Sequence, residues 1–224
     1  MNSPLLSPSH LNPFMLLDLR ILEILSSKIC HDLISPVGAI NNGVELIEDI
    51  GASVTEDAMK LISSSAQQAA KRLRLFRVAY GKAGAEGVTL RDVRNVARDY
   101  VSQGKSTLQW NEDQVFPVLS DKRGGLKLLL NAIMMADDVL SHGGAIVIEG
   151  IAGLEGQGAS ITASGSHALI SDAMRHALLG ETPVEEVTPR TVHAYVTHCF
   201  ADHFGLKISA QQMSDEKLSI LVQL

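Results

Sequence analysis

Residues 28–49 read KICHDLISPVGAINNGVELIED, and the fold follows from how this stretch is read. Ile29, Leu33, Val37, Ile40, Val44 and Ile47 recur at intervals of four, four, three, four and three, which makes one apolar stripe on an α-helix. At about 100° per residue all six lie roughly 160–240° around the axis from His31. His31 therefore points away from the stripe. Its own face, within roughly 60°, carries Ser27, Lys28, Ser35, Gly38, Asn42 and Glu45. A histidine on a polar helix face is most often a plain surface residue, but three neighbours argue otherwise. Pro36 sits mid-helix, where it costs ~3 kcal/mol and frees the carbonyl of Asp32 from its ladder bond. Gly38 costs about another 1 kcal/mol relative to alanine. A helix that carries both beside one exposed histidine gives up stability for something other than packing. Asp32 adds a carboxylate that can hold the proton on one ring nitrogen and leave the other nucleophilic.

Working outward, residues 1–13 carry Pro4, Pro8 and Pro13 among serines and are expected to be a disordered arm. The helix runs from about Phe14 to Ile50, with Gly51 as its C-terminal cap. A second helix starts at Ser53-Val54-Thr55-Glu56, a Ser-x-x-Glu capping box, and continues to about Tyr80. Met59, Ile62, Ala66, Ala69, Leu73, Phe76 and Tyr80 share one face of it. Residues 14–82 thus form an antiparallel helical hairpin. One hairpin cannot bury such stripes alone, so it needs the rest of the chain or a second copy, as in a four-helix bundle across a two-fold axis.

The Gly-rich segment Gly81–Gly87 marks a domain boundary. Beyond it, residues 88–224 mix helices with strands. Helices are expected over Arg91–Val101, Lys122–Leu140, Ile170–Leu179 and Arg190–Phe204. Strands are expected near Thr107–Trp110, Ala145–Glu149, Ser160–Ala163, Leu206–Ala210 and Leu218–Val222. The fold class is α+β: the hairpin, then an α/β sandwich with helices on one face of a largely antiparallel or mixed sheet.

Composition narrows the function. The 224 residues are 46% hydrophobic and 20% charged, a globular balance, and the net charge of −6 argues against a dedicated nucleic-acid binder. Cys30 and Cys199 lie far apart and suggest neither a disulfide framework nor a zinc motif. Cys199 and His203 share a helical face but lack a third ligand, so a metal site is not expected. The N-terminal apolar run lacks a basic n-region and is interrupted by Asp18, Arg20 and Glu23, and no stretch is long enough to span a bilayer. A cytoplasmic protein is expected.

The string His31-Asp32-Leu33-Ile34-Ser35-Pro36 resembles the H-box of two-component signalling proteins. KICHDLISPVGAINNGVELIED, together with RLRLFRVAYG at the end of the second helix, resembles the ChpT-type histidine phosphotransferases of alphaproteobacterial phosphorelays. The resemblance covers the layout of the whole chain. It is specific in the H-box and at the end of the second helix, and loose beyond residue 90. It implies a dimeric hairpin followed by a degenerate histidine-kinase-like ATPase domain, with His31 as phosphoacceptor, Asp32 as the acidic residue after it, and Ser35 and Asn42 in a receiver-docking surface. Lys28, one turn back, is placed to neutralise phosphoryl charge, while Gly38 and Asn42 let a receiver's backbone come close.

An ATP-dependent kinase would need more. The helix around Leu128-Leu129-Leu130-Asn131-Ala132 keeps an asparagine of the type that holds magnesium, though on its own it reads as a surface residue. The strand where an adenine-reading aspartate should follow is Ser160-Ile161-Thr162-Ala163-Ser164-Gly165-Ser166, with no carboxylate, and no Gly-rich phosphate lid comes after it. The expectation is a homodimer that passes a phosphoryl group between the receiver domains of a hybrid histidine kinase and of response regulators. It needs no cofactor of its own, since the receiver brings the magnesium, and it binds neither nucleic acid nor membrane. The alternatives are an ATP-dependent kinase or phosphatase and a non-enzymatic dimeric adaptor.

Overall fold

The structure, a computed structural model, describes residues 18–51, 54–154 and 156–224. The expected arm, the helical residues before 18 and the Ser53 capping box lie outside them. Helix α1 (Leu19–Ile50) starts where the Asp18 carboxylate accepts a hydrogen bond from the Arg20 amide at 2.8 Å. It stops where Gly51 turns to φ 76° and donates its own N–H to the Ile47 carbonyl. Helix α2 (Thr55–Ala79) folds back along it. The two approach most tightly at the buried Gly43, where a Cβ would stand 2.6 Å from Ile62 Cγ1 and 3.3 Å from the Ala58 carbonyl. Only glycine permits that approach.

After a short turn at Lys82–Gly84 come α3 (Leu90–Val101), β1 (Ser106–Gln109), α4 (Pro117–Asp121), α5 (Gly125–Asp138), β2 (Gly144–Gly150) and β3 (Gly158–Ser164). These are followed by α6 (Asp172–Leu179), α7 (Val192–Phe204), β4 (Lys207–Ser214) and β5 (Lys217–Gln223). The sheet order is β1-β2-β3-β5-β4, with β1 parallel to β2 and the other pairs antiparallel, for example Ile161 opposite Ile220. Alternation sets its faces: Ile146, Ile148, Ile161, Ala163, Leu218, Ile220 and Val222 are buried under α5, while Thr107, Gln109, Thr162 and Gln211 lie on the opposite face.

The expected helix over Lys122–Leu140 is α5, which starts three residues later and follows the short α4 that the sequence reading did not include. Gly124 takes φ 81°, and a Cβ there would overlap the Phe204 ring at 2.2 Å, so the chain turns sharply and α5 starts afresh. The Gly81–Gly87 segment is packed rather than loose, with Gly84 buried against the end of α2. The main core is continuous across it, joining Leu75, Phe76, Val78 and Ala79 of α2 to Val93, Leu129 and Ile133. A second cluster sets Ile21 of α1 against Val187, Val192 and Val196. Arg20 donates to the Val187 carbonyl at 3.2 Å, and Lys71 pairs with Asp99 at 3.1 Å.

The apolar stripes are only half covered within one chain. On α1, Ile29, Leu33, Ile40 and Ile47 are half-buried, but Val37 is 48% exposed and Val44 is also exposed. On α2, Ala69 and Phe76 are buried while Met59, Ala66 and Leu73 are exposed. Two helices side by side bury only the flanks that face each other, and the second domain covers only the base of the hairpin. Ten of the sixteen large apolar side chains exposed among the described residues belong to α1 and α2. No helix among them is long and apolar enough to cross a membrane.

Candidate functional site

The His31 side chain is 89% exposed, and its one contact is Nδ1 at 3.4 Å from Asp32 Oδ1. That is longer than a formed hydrogen bond, and a small rotation of the free ring closes it. A proton held on Nδ1 by Asp32 leaves the Nε2 lone pair facing solvent. Along the same face Ser35 and Asn42 are exposed and Lys28 is half-buried. At Gly38 nothing lies within 4 Å of where a Cβ would stand, so the helix backbone there is bare.

Pro36 is buried, and its missing N–H has a visible consequence. The Asp32 carbonyl, deprived of its ladder partner, accepts a hydrogen bond from Arg72 Nη1 on α2. Arg72 thereby fixes the backbone that carries Asp32 and, through it, the ring of His31. This residue escaped the sequence reading as a site residue, although it opens the RLRLFRVAYG string. The signal was the freed carbonyl itself, which needs a donor from the facing helix.

Lys28, Asp32 and Arg72 also form one wall of a cleft of about 300 Å³ between the hairpin and the second domain. Tyr100, Asp137, Asp138 and His193 stand in the other wall. Burial pushes the Asp137 carboxyl up despite hydrogen bonds from Ser106 and Tyr100, and it pushes the Tyr100 phenol up as well. Lys28 forms no ion pair with any described residue. Two cations thus share the cleft wall with Asp32, one without a carboxylate partner among the described residues and one tied to the Asp32 carbonyl.

Asn131 is not a surface residue but wholly buried. Its amide hydrogens go to the Ala79 and Lys127 carbonyls, both at 2.9 Å, and its oxygen lies 3.1 Å from His193 Nε2. The side chain is thus engaged at both ends inside the core. On β3 the Ser160 hydroxyl meets the Ser219 hydroxyl at 3.2 Å. The Cys199 thiol is half-buried and pushed up by that burial, which works against metal binding, and the described residues contain no cluster of three metal-ligating side chains.

With this geometry in place, three comparisons agree. The profile of the histidine phosphotransferase C-terminal domain matches residues 90–216. Protein phosphotransferase ChpT of Brucella abortus (strain 2308) is 36% identical over 210 residues, covering 91% of this chain and 96% of that protein. A solved structure of a bacterial phosphotransferase superposes with a TM-score of 0.72 at 32% identity, covering 94% of this chain and 99% of that one. An exposed histidine on a helical hairpin that is followed by a mixed sheet domain, together with these likenesses, leads to one assignment: the chain belongs to the histidine phosphotransferase family.

Proposed function

We propose that the protein is a cytoplasmic phosphorelay phosphotransferase that carries a phosphoryl group on His31 between receiver-domain aspartates. The observation that carries this reading is the His31 ring itself: 89% exposed, backed by Asp32, on a helix face left bare at Gly38. In the forward step Nε2 attacks the phosphorus of the donor's acyl phosphate, the P–O bond to the donor aspartate breaks, and that carboxylate leaves. The proton stays on Nδ1 beside Asp32, which stabilises the phosphohistidine. In the second step an acceptor aspartate attacks the same phosphorus, and the P–N bond electrons return to Nε2. The receiver brings the magnesium, and no step needs a metal held by this chain. Lys28 offsets phosphoryl charge, Arg72 holds the Asp32 backbone in register, and Ser35, Gly38 and Asn42 form the docking face.

A second copy of the hairpin covers Val37, Val44, Met59 and Leu73, which makes the working unit a dimer with two outward-facing His31 rings. The partners are the receiver domains of a hybrid histidine kinase and of response regulators. The test is labelling of purified protein by a receiver domain carrying radioactive phosphate on its aspartate, with no ATP present. Label should pass to the protein from the receiver and should not pass from labelled Mg-ATP. Labelling from ATP would make it a kinase, and no labelling from any receiver would make it an adaptor.

A further inference from the structure

A chain of buried side chains runs from the end of α2 to the wall of the cleft beside His31. The carbonyls of Ala79 and Tyr80 lie past the last helical N–H that could reach them, so each needs another donor. Both donors come from α5: Asn131 Nδ2 reaches Ala79 O at 2.9 Å, and Lys127 Nζ reaches Tyr80 O at 3.1 Å. The two side chains are buried, and the Lys127 ammonium also sits 3.9 Å from the centre of the Phe200 ring. Burial pushes the Lys127 ammonium down to about 8. A charge held in a core at such a cost is not there for packing, which an apolar side chain would do better.

The network continues past Asn131. With both its amide hydrogens committed to carbonyls, its oxygen must face His193 Nε2, which donates at 3.1 Å. His193 Nδ1 lies 3.3 Å from Asp138 Oδ2. His193 and Asp138 stand in the cleft wall opposite Lys28, Asp32 and Arg72. The shared apolar core holds the two parts together without fixing a polar register, and the half-exposed Lys71–Asp99 pair is of the kind that contributes little.

We propose that Asn131 and Lys127 are positioning residues for phosphotransfer, locking the hairpin to the second domain so that the Asp138 wall stands fixed beside a receiver docked on His31. The proposal rests on the reading of His31 as phosphoacceptor given above. A fixed wall spares the complex the entropy of ordering two mobile parts, so losing it weakens docking and leaves the chemistry of His31 itself alone.

Two variants of the full-length chain test it, Lys127→Met and Asn131→Ala, each with two readouts. One is KM and kcat for transfer from a phosphorylated receiver. The other is direct labelling of His31 by phosphoramidate, a small donor that needs no docking. The expected result is a KM raised about tenfold, worth about 1.4 kcal/mol, with kcat and phosphoramidate labelling within about twofold of the native protein. An unchanged KM in folded Lys127→Met overturns the proposal. So does a parallel loss of phosphoramidate labelling, which would mean general damage to the hairpin. If Asn131→Ala does not fold, Lys127→Met decides alone, because exchanging a buried ammonium for an apolar side chain of similar volume preserves packing. Native protein that takes label from phosphoramidate but from no receiver would refute the docking reading instead, a distinguishable outcome.

Discussion

Gly38→Leu should make the protein more stable and less active at once. Gly38 lies seven residues beyond His31, about 10.5 Å along α1 and within about 20° of it around the axis. A Cβ there meets nothing within 4 Å, so the substitution introduces no clash inside the chain. Replacing a mid-helix glycine by leucine recovers about 0.8 kcal/mol of helix propensity, which for a chain of this length raises Tm by about 2–3 °C. A receiver docked on His31 meets the new side chain directly. Displacing the reacting atoms by about 1 Å is enough to cost on the order of 100-fold in rate. The assay pairs a thermal melt with transfer from a phosphorylated receiver, with phosphoramidate labelling as the control for an intact His31. Stability up, receiver transfer down by about 100-fold or more and phosphoramidate labelling unchanged is the expected set. Normal transfer in the stabilised variant would place receiver docking on another face and refute the reasoning.

Three further outcomes follow from other contacts. Arg72→Leu should cost about 1–3 kcal/mol by orphaning the Asp32 carbonyl; in a Pro36→Ala background, where the ladder donor returns, the same change should cost far less, which a double-mutant cycle by urea unfolding measures. Lys127 carries its proton to about pH 8 when folded but to about 10.5 when unfolded, so between those values the unfolded state binds more protons and stability rises with pH. From pH 8 to 10 the unfolding free energy of the native chain should therefore gain about 2 kcal/mol on that of a Lys127→Met chain, a difference in which the opposing contributions of the Cys199 thiol and the Tyr80 and Tyr100 phenols, all pushed up by burial, cancel. Val37→Asp puts a charge on the apolar face left open in one chain, and sedimentation should move from a dimer to the 24.0 kDa monomer.

The hairpin was legible because it is written in periodicity and punctuation. The three-and-four spacing from Ile29 to Ile47 and the cap at Gly51 depend on local geometry, and the structure keeps both. The outward direction of His31 followed from the same arithmetic. Only half of each stripe is covered in one chain, because periodicity says which face is apolar and not what covers it. Long-range partners were illegible. No spacing rule joins Arg72 to the Asp32 carbonyl forty residues away, although Pro36 announced that a donor was needed. Nor does anything near Asn131 say that its amide will meet Ala79, fifty-two residues earlier, and brace the end of α2. Gly43 was read past for the same reason: its Cβ-less surface matters only once Ile62 is known to lie against it.

The central claim is that His31 alone carries the phosphoryl group. Protein labelled by a phosphorylated receiver without ATP, digested and mapped by mass spectrometry under alkaline conditions that preserve phosphohistidine, should carry all its acid-labile phosphate on the peptide containing His31. His31→Gln should remain folded, since that side chain supports no core, and should take no label. Phosphate on another residue, or label retained by His31→Gln, contradicts the claim.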